Sequence, residues 1–242
     1  MDLARKNALV TGGAVRLGRS LVTFLAEEGC GVAVHHHSSA SEAEALVSEL
    51  RSQGRDAVSL QGDLADPRVP EILVREAIRA LGSLEILVNS AAVFPDRGLA
   101  ETDAESWDAQ MAVNLRAPFL LSRAFAETLG GARGSILNLT DNRVHRPAGD
   151  HFAYRLSKVG LSEMTRMLAA ELAPGATVNA VALGAILPPP GESRSDFEAR
   201  VRDSVPLGRA GGPGALVAAA RYLLTSDFVT GAVLPVDGGE YL

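Results

Sequence analysis

The chain has 242 residues, 47 % of them hydrophobic and 21 % charged, with a formal net charge of −6. That length accommodates one α/β domain with a large core, and the acidic balance argues against a nucleic-acid surface, which needs clustered Lys and Arg to neutralise phosphates. A small-molecule partner is expected. No apolar run reaches the roughly 18 residues of a membrane span. MDLARKNALVTGG passes straight into a strand and a glycine turn, leaving no room for a signal peptide, so a cytoplasmic location is expected. The single cysteine, Cys30, excludes an intramolecular disulfide and a cysteine-based metal cage, and reads as a small buried hydrophobe.

The first strand is expected near 7–11, NALVT. TGGAVRLG, residues 11–18, follows it, and Leu17, Leu21 and Leu25 then recur at helical spacing. Gly12, Gly13 and Gly18 let the backbone turn tightly against a pyrophosphate, and the helix that follows aims its first N–H groups at that anion. Arg16 stands where such turns often have another glycine, and adds a positive charge beside the expected phosphates. Leu17 belongs to the same cofactor-contacting turn.

The second strand, GVAVHH near 31–36, ends in VHHHSSASE. No acidic residue is there to bind a ribose 2′-hydroxyl and repel a 2′-phosphate, which favours NADP(H), with His36, His37, Ser38 and Ser39 as phosphate donors. Adjacent histidines on a strand point to opposite faces, so no metal site is expected. The third strand, 57–61, leads into Asp63 and Leu64, expected beside the adenine. The fourth, near 85–89, leads into NSAA, where Asn89, Ser90 and Ala91 would let the cofactor lie against the backbone.

Further strands are expected near 134–139, 177–183 and 232–236, alternating with helical segments such as the one marked by Leu161, Met164, Leu168 and Leu172. Strand–helix alternation of this kind predicts a Rossmann-type, doubly wound parallel sheet of about seven strands with helices on both faces. With no repeat and no low-complexity linker, residues 1–242 are expected to form one domain. The segment 184–214 interrupts the alternation. It is rich in Pro, Gly and charge, and Pro188 to Pro190 forbid helix and central strand. At the carboxyl end of the sixth strand, where open α/β sheets bind ligands, it is a candidate substrate lid with a short helix near 195–203. Gly184 and Ile186 at its start are expected to touch the cofactor.

Tyr154 and Lys158 lie one helical turn apart, in YRLSK. A free phenol, with a pKa of about 10, is a poor acid near neutrality; an adjacent ammonium stabilises phenolate and draws that pKa down. Upstream stands Asp141.

Taken in order, TGGAVRLG, Asp63-Leu64, NSAA, Asn114 in NLRAPF, YRLSK and the terminal VDGG at 236–239 resemble the short-chain dehydrogenase/reductase family over nearly the whole chain. The resemblance implies an acid/base role for Tyr154, and for Lys158 a role in lowering its pKa and holding the ribose. It also implies that Asn114 supports the lysine through water, and that the protein is a homotetramer. Most members have a serine at the position of Asp141. That aspartate, Arg16 in the turn, HHHSSASEAEAL and Phe94 after the fourth strand resemble the pteridine reductases. By that resemblance Asp141 joins Tyr154 and Lys158 in proton delivery, Arg16 lies near both phosphate and pterin, and Phe94 stacks on the pterin. Ser38, Ser90 and Leu183 depart from the usual pattern.

The aspartate bears on substrate class. An ionised carboxylate only accepts hydrogen bonds, and would repel the alkoxide formed from a ketone. Reduction of a carbon–nitrogen double bond instead needs a proton at nitrogen. The expected activity is therefore NADPH-dependent reduction of a dihydropterin or dihydrofolate-like substrate. The alternatives are a general carbonyl or 3-oxoacyl-thioester reductase, and a non-catalytic nucleotide-binding regulatory protein.

Overall fold

The computed structural model describes residues 2–189 and 191–242; Met1 and Pro190, the last of the three consecutive prolines, lie outside the described residues. Seven strands form one parallel sheet in the order β3-β2-β1-β4-β5-β6-β7. They are β1 (Asn7–Val10), β2 (Gly31–His36), β3 (Ala57–Gln61), β4 (Ile86–Asn89), β5 (Gly134–Asp141), β6 (Ala176–Leu183) and β7 (Val233–Val236). The helices are α1 (Arg16–Glu27), α2 (Ala40–Ser52), α3 (Val69–Leu81), α4 (Ala104–Met111), α5 (Ala117–Thr128), α6 (Phe152–Leu172), α7 (Arg194–Ser204) and α8 (Gly212–Thr225). This is the Rossmann-type α/β fold.

Strand residues are apolar in unbroken runs because both faces of the sheet are covered. On one face Ala8, Val10, Val32, Val34, Ile86 and Val88 pack with Leu21 and Leu25 of α1, Leu46 and Leu50 of α2 and Leu216 and Leu223 of α8. On the other, Leu9, Ala33, Leu87, Ile136 and Val178 meet Leu73 and Val74 of α3, Leu121 and Phe125 of α5 and Ala169 of α6. The period-2 alternation of the strands sorts neighbouring residues into two separate cores. Cys30 is buried within the first of them, as expected.

Strand ends differ from expectation where side chains intervene. β1 stops at Val10 because Thr11 turns its hydroxyl to the next crossover: Oγ1 donates to Val88 O (3.3 Å) and accepts from the N–H groups of Ser90 (3.0 Å) and Ala91 (3.1 Å). β5 runs two residues further than expected, since Thr140 and Asp141 continue the pairing with Ala182 and Leu183. Asp141 is thus the last residue of a central strand. Within 184–214, the short helix expected near 195–203 is α7, capped by Ser193, whose Oγ accepts from Asp196 N (3.2 Å). Among the described residues no helix is long and apolar enough to cross a membrane.

A buried polar chain ties the centre of the sheet to α6. Asn89 Nδ2 donates to Asn138 Oδ1 (2.8 Å), and Asn138 Nδ2 donates to Thr165 Oγ1 (2.9 Å). Asn138→Ala strands the Asn89 amide without its acceptor in a dry interior. The expected loss is about 2–4 kcal/mol of unfolding free energy, read as a lower urea midpoint at unchanged slope.

Candidate active site

The sheet order reverses between β1 and β4, and a cleft of about 710 Å³ opens there at the carboxyl ends of the strands. Its floor is the glycine turn. Gly12 adopts φ +61°, and a Cβ on it would stand 3.0 Å from Ala91 Cα. A Cβ on Gly18 would stand 2.0 Å from Gly12 O, so no larger residue fits without moving the turn. Arg16, at φ +50°, begins α1, lines the cleft and donates through Nη2 to Pro188 O (2.8 Å) on the segment after β6. It therefore bridges the glycine turn and the expected lid.

His35, which sequence reasoning passed over, holds the turn in place. Burial lowers its pKa to about 4, leaving a neutral ring. Nδ1 accepts from Gly12 N (3.2 Å), which places the ring proton on Nε2, 3.1 Å from Gly62 O. His36 is buried on the cleft wall, and its Nδ1 has no protein partner among the described residues. His37, Ser38, Ser39, Asp63 and Leu64 line the same end. Ser90, Ala91, Gly184 and Ile186 line the floor and the far wall. Glycines that leave no room for a Cβ, an imidazole nitrogen with no protein partner among the described residues and two serines where β2 ends without an acidic residue fit a dinucleotide carrying a 2′-phosphate.

The Asn89 side chain points into the buried chain with Asn138 and supports the strand that leads to Ser90 and Ala91 on the cleft wall.

Asp141, Tyr154 and Lys158 meet at the inner end of the cleft, all buried. Tyr154 Oη donates to Asp141 Oδ2 (2.9 Å). Asp141 Oδ1 accepts from Arg143 N (2.9 Å), and Oδ2 also accepts from Arg143 Nη1 (3.1 Å). Lys158 Nζ donates to Leu139 O (2.8 Å) and lies 5.7 Å from the Tyr154 ring centroid.

These positions reverse one sequence-based expectation. Burial first, then the charge and hydrogen bond of Asp141, push the Tyr154 pKa well above 10, with Arg143 and Arg155 opposing. Lys158 does not draw it down in this state. Its own pKa falls to about 8, because burial disfavours the ammonium more than Asp141 favours it.

Asn114 sits in a π-helical turn, Ala112–Arg116, between α4 and α5. Its Oδ1 accepts from Val93 N (2.9 Å), and its Nδ2 donates to Val93 O (3.0 Å) and Ser157 Oγ (3.2 Å). Its direct bonds thus clamp the loop after β4 to α6, one residue before Lys158, instead of reaching the lysine. Phe94 borders a neighbouring groove with Arg97 and Gln110. His151 stacks on it at 4.2 Å between centroids, the Arg143 guanidinium lies 5.3 Å from its ring, and Tyr154 meets it edge-on at 4.5 Å. One ring face is already covered, so Phe94 braces Tyr154 in this arrangement.

Several shaping residues had weak sequence signals. Arg155 Nη1 donates to the carbonyls of Arg143 (3.2 Å) and Arg146 (3.1 Å), and Nη2 pairs with Asp150 (2.6 Å), pinning the loop that follows β5. Glu240 Oε2 accepts from Asn142 Nδ2 (2.9 Å) and Ala185 N (3.0 Å), tying the chain's end to that loop and to the base of the lid segment. Arg143 was readable in part: an aspartate ending a strand commonly accepts from the N–H two residues on.

The family described as Enoyl-(Acyl carrier protein) reductase matches residues 13–240. The 3-oxoacyl-[acyl-carrier-protein] reductase FabG of Staphylococcus aureus is 33 % identical over 244 residues, covering 98 % of each chain. Among solved structures, the FolM alternative dihydrofolate reductase 1 of Brucella canis, complexed with NADP, superposes with a TM-score of 0.94 at 34 % identity, over 99 % of this chain and 95 % of that one. A short-chain dehydrogenase of Burkholderia cenocepacia, also in complex with NADP, gives 0.92 at 31 % identity over the whole of both chains. The chain belongs to the short-chain dehydrogenase/reductase family and is an NAD(P)-dependent oxidoreductase.

Four outcomes test the site. Gly18→Ala is expected to weaken NADPH binding at least about tenfold, the equivalent of one lost charge-assisted contact, with circular dichroism unchanged; fluorescence titration reads it. Because Lys158 is an ammonium below about 8 and an amine above, kcat/KM is expected to fall as pH rises through that value. Stability has the opposite sign: the penalty of a buried ammonium is present at low pH and is relieved as pH rises from about 8 toward the ordinary 10.5. Asp141→Asn removes the charge that holds the lysine pKa up, so the Lys158 midpoint, followed by NMR of labelled lysine, moves to lower pH.

Proposed function

We propose that this protein reduces a carbon–nitrogen double bond of a pterin-type substrate, with proton delivery by Asp141, Tyr154 and Lys158. The observation that carries this reading is the 2.9 Å hydrogen bond from Tyr154 Oη to Asp141 Oδ2. The cofactor is NADP(H), in keeping with the NADP complexes of the Brucella and Burkholderia structures and with the open imidazole and serines at the end of β2. When bound, it supplies the hydride.

The chain's own residues supply position and protons. Lys158, held by Leu139 O at the base of the cleft, places its ammonium where a ribose hydroxyl can accept from it. Tyr154 has its proton directed at the Asp141 carboxylate, so a substrate oxygen has no free donor there until that bond breaks. A ring nitrogen suits the pair better. Asp141, once protonated, becomes a donor at that nitrogen. Asp141, whose side chain is itself 11 % exposed, takes the replacement proton from solvent, while the Arg143 guanidinium, a donor only, holds the carboxylate in place. The FolM likeness supports the same substrate class.

A second reading, reduction of 3-oxoacyl thioesters, is favoured by the FabG relatives. In it Tyr154 Oη–H must swing from Asp141 to the substrate oxygen. The proposal also includes residues 184–214 acting as a substrate lid on a single domain in the cytoplasm. It includes assembly as a homotetramer through α5 and α6, whose outer faces leave Phe119, Val159 and Met167 exposed.

The test is a substrate panel with NADPH. 7,8-Dihydrobiopterin or dihydromonapterin should be reduced, and Asp141→Ala should lower their turnover by about 100-fold or more, as for loss of a general acid, with NADPH affinity nearly unchanged. Asp141→Ser should raise ketone turnover relative to pterin. Rapid turnover of oxoacyl thioesters with no pterin-dependent NADPH oxidation sinks the pterin reading and selects the second.

A further inference from the structure

A second cavity, of about 610 Å³, lies on the far side of the lid segment from the glycine turn, between α7 and the start of α8. Ile186 and Leu187 wall both this cavity and the catalytic cleft, so the two spaces adjoin. Arg16 fixes the partition between them by its bond to Pro188 O. The interior is apolar on the side of Phe197, which is buried, and of Pro213.

Its charge is unlike that of the rest of the molecule. Arg194, Arg202, Arg209 and Glu198 line it, and Glu198 is spent on Arg194 through Nε (2.8 Å). The other lid carboxylate engaged with an arginine, Glu192, holds Arg200 at 2.9 Å, outside the cavity lining. Among the described residues Arg202 and Arg209 form no ion pair, and Glu198, the carboxylate in the same lining, is bonded to Arg194; the one bond from Arg209 is a long contact, 3.4 Å, to Ala210 O. A chain of net charge −6 therefore presents two uncompensated guanidinium groups beside its catalytic cleft. Guanidinium forks match carboxylate and phosphate oxygens, and a concave site with low-dielectric walls concentrates anions.

We propose that this cavity is a subsite for the anionic tail of the substrate: the reacting group lies at Tyr154, a flat or aliphatic linker crosses Ile186 and Leu187 to lie against Phe197, and a terminal carboxylate or phosphate pairs with Arg202 and Arg209. The proposal rests on the reading of the cleft as a reductase site, and it deepens that reading by requiring a substrate longer than a bare ring. Two sources share the chemistry. A folate-type substrate ends in glutamyl carboxylates beyond an aromatic linker; a thioester substrate carries the phosphate of a pantetheine arm.

The experiment pairs tailed with tail-less substrates under NADPH: 7,8-dihydrofolate against 7,8-dihydrobiopterin, and acetoacetyl-coenzyme A against ethyl acetoacetate. The Arg202→Ala/Arg209→Ala double variant should raise KM for the tailed member of the working pair by about tenfold or more, the scale of lost charge-assisted bonds. KM for its tail-less partner and kcat for both should stay within about twofold, and Arg202→Lys/Arg209→Lys should recover part of the loss. Equal effects on tailed and tail-less substrates, or no effect on either, overturn the subsite. If only the thioester pair is turned over, the pterin reading falls while the same comparison still judges the cavity. If neither pair is turned over, calorimetric binding of folate and of pterin to the NADP-loaded protein decides: a tail-dependent gain that the double variant abolishes supports the subsite, and its absence overturns it.

Discussion

Strand β1 is hydrogen-bonded along both edges, to β2 from Asn7 to Val10 and to β4 from Ala8 to Val10. A strand paired on both sides in parallel has no edge from which the chain can return, so it must leave upward into the crevice between its two neighbours' crossovers. Everything at the cofactor end follows from that exit. Thr11 closes the seam to Ser90 and Ala91, Gly12 turns against Ala91, and α1 starts with its amide groups facing the opening. The two-sided burial that makes the pairing stable also dictates the apolar runs of the strands and the two separate cores.

The catalytic end hangs on the same sheet, one strand further along. Because β5 continues to Asp141, the carboxylate is carried by a rigid strand and not by the loop beyond it. Tyr154 and Lys158 come from α6, which the Asn138–Thr165 bond ties to the sheet and the Asn114–Ser157 bond ties to the turn between α4 and α5. The carboxylate then acts on both in the same direction. It raises the pKa of the phenol and opposes the fall that burial imposes on the amine. One carboxyl group thus gives a buried phenol and a buried amine different electrostatic environments. The loop after β5 keeps this arrangement through Arg155 and Glu240, neither of which touches the reacting centre.

Much of this was legible in the chain alone where the signal is local. Apolar runs of four to eight residues, the glycine spacing of TGGAVRLG and the Tyr154–Lys158 turn each reflect backbone periodicity, which depends on neighbours in sequence. The end of β5, the inward orientation of Asn89 and the stacking of His151 on Phe94 were not legible. Each depends on a partner 42 to 57 positions away, whose approach is set by the register of the sheet and the docking of α6. His35 illustrates the difference: as a letter among three histidines it is ambiguous, whereas between Gly12 N and Gly62 O it has one tautomer and one task.

By itself the sequence determined the fold class, the switch-point placement of the dinucleotide cleft and the presence of an aspartate where a hydroxyl is usual, because residue type and spacing alone decide backbone geometry and available donors. Tertiary structure decided what that aspartate does. Its distance of 2.9 Å from Tyr154, its pairing with Arg143 and its burial set the charge balance of the site. Only the folding of residues 184–214 brings Arg202 and Arg209 to one cavity beside it. Electrostatic interactions act through space and through local dielectric, and neither is a property of order along a chain.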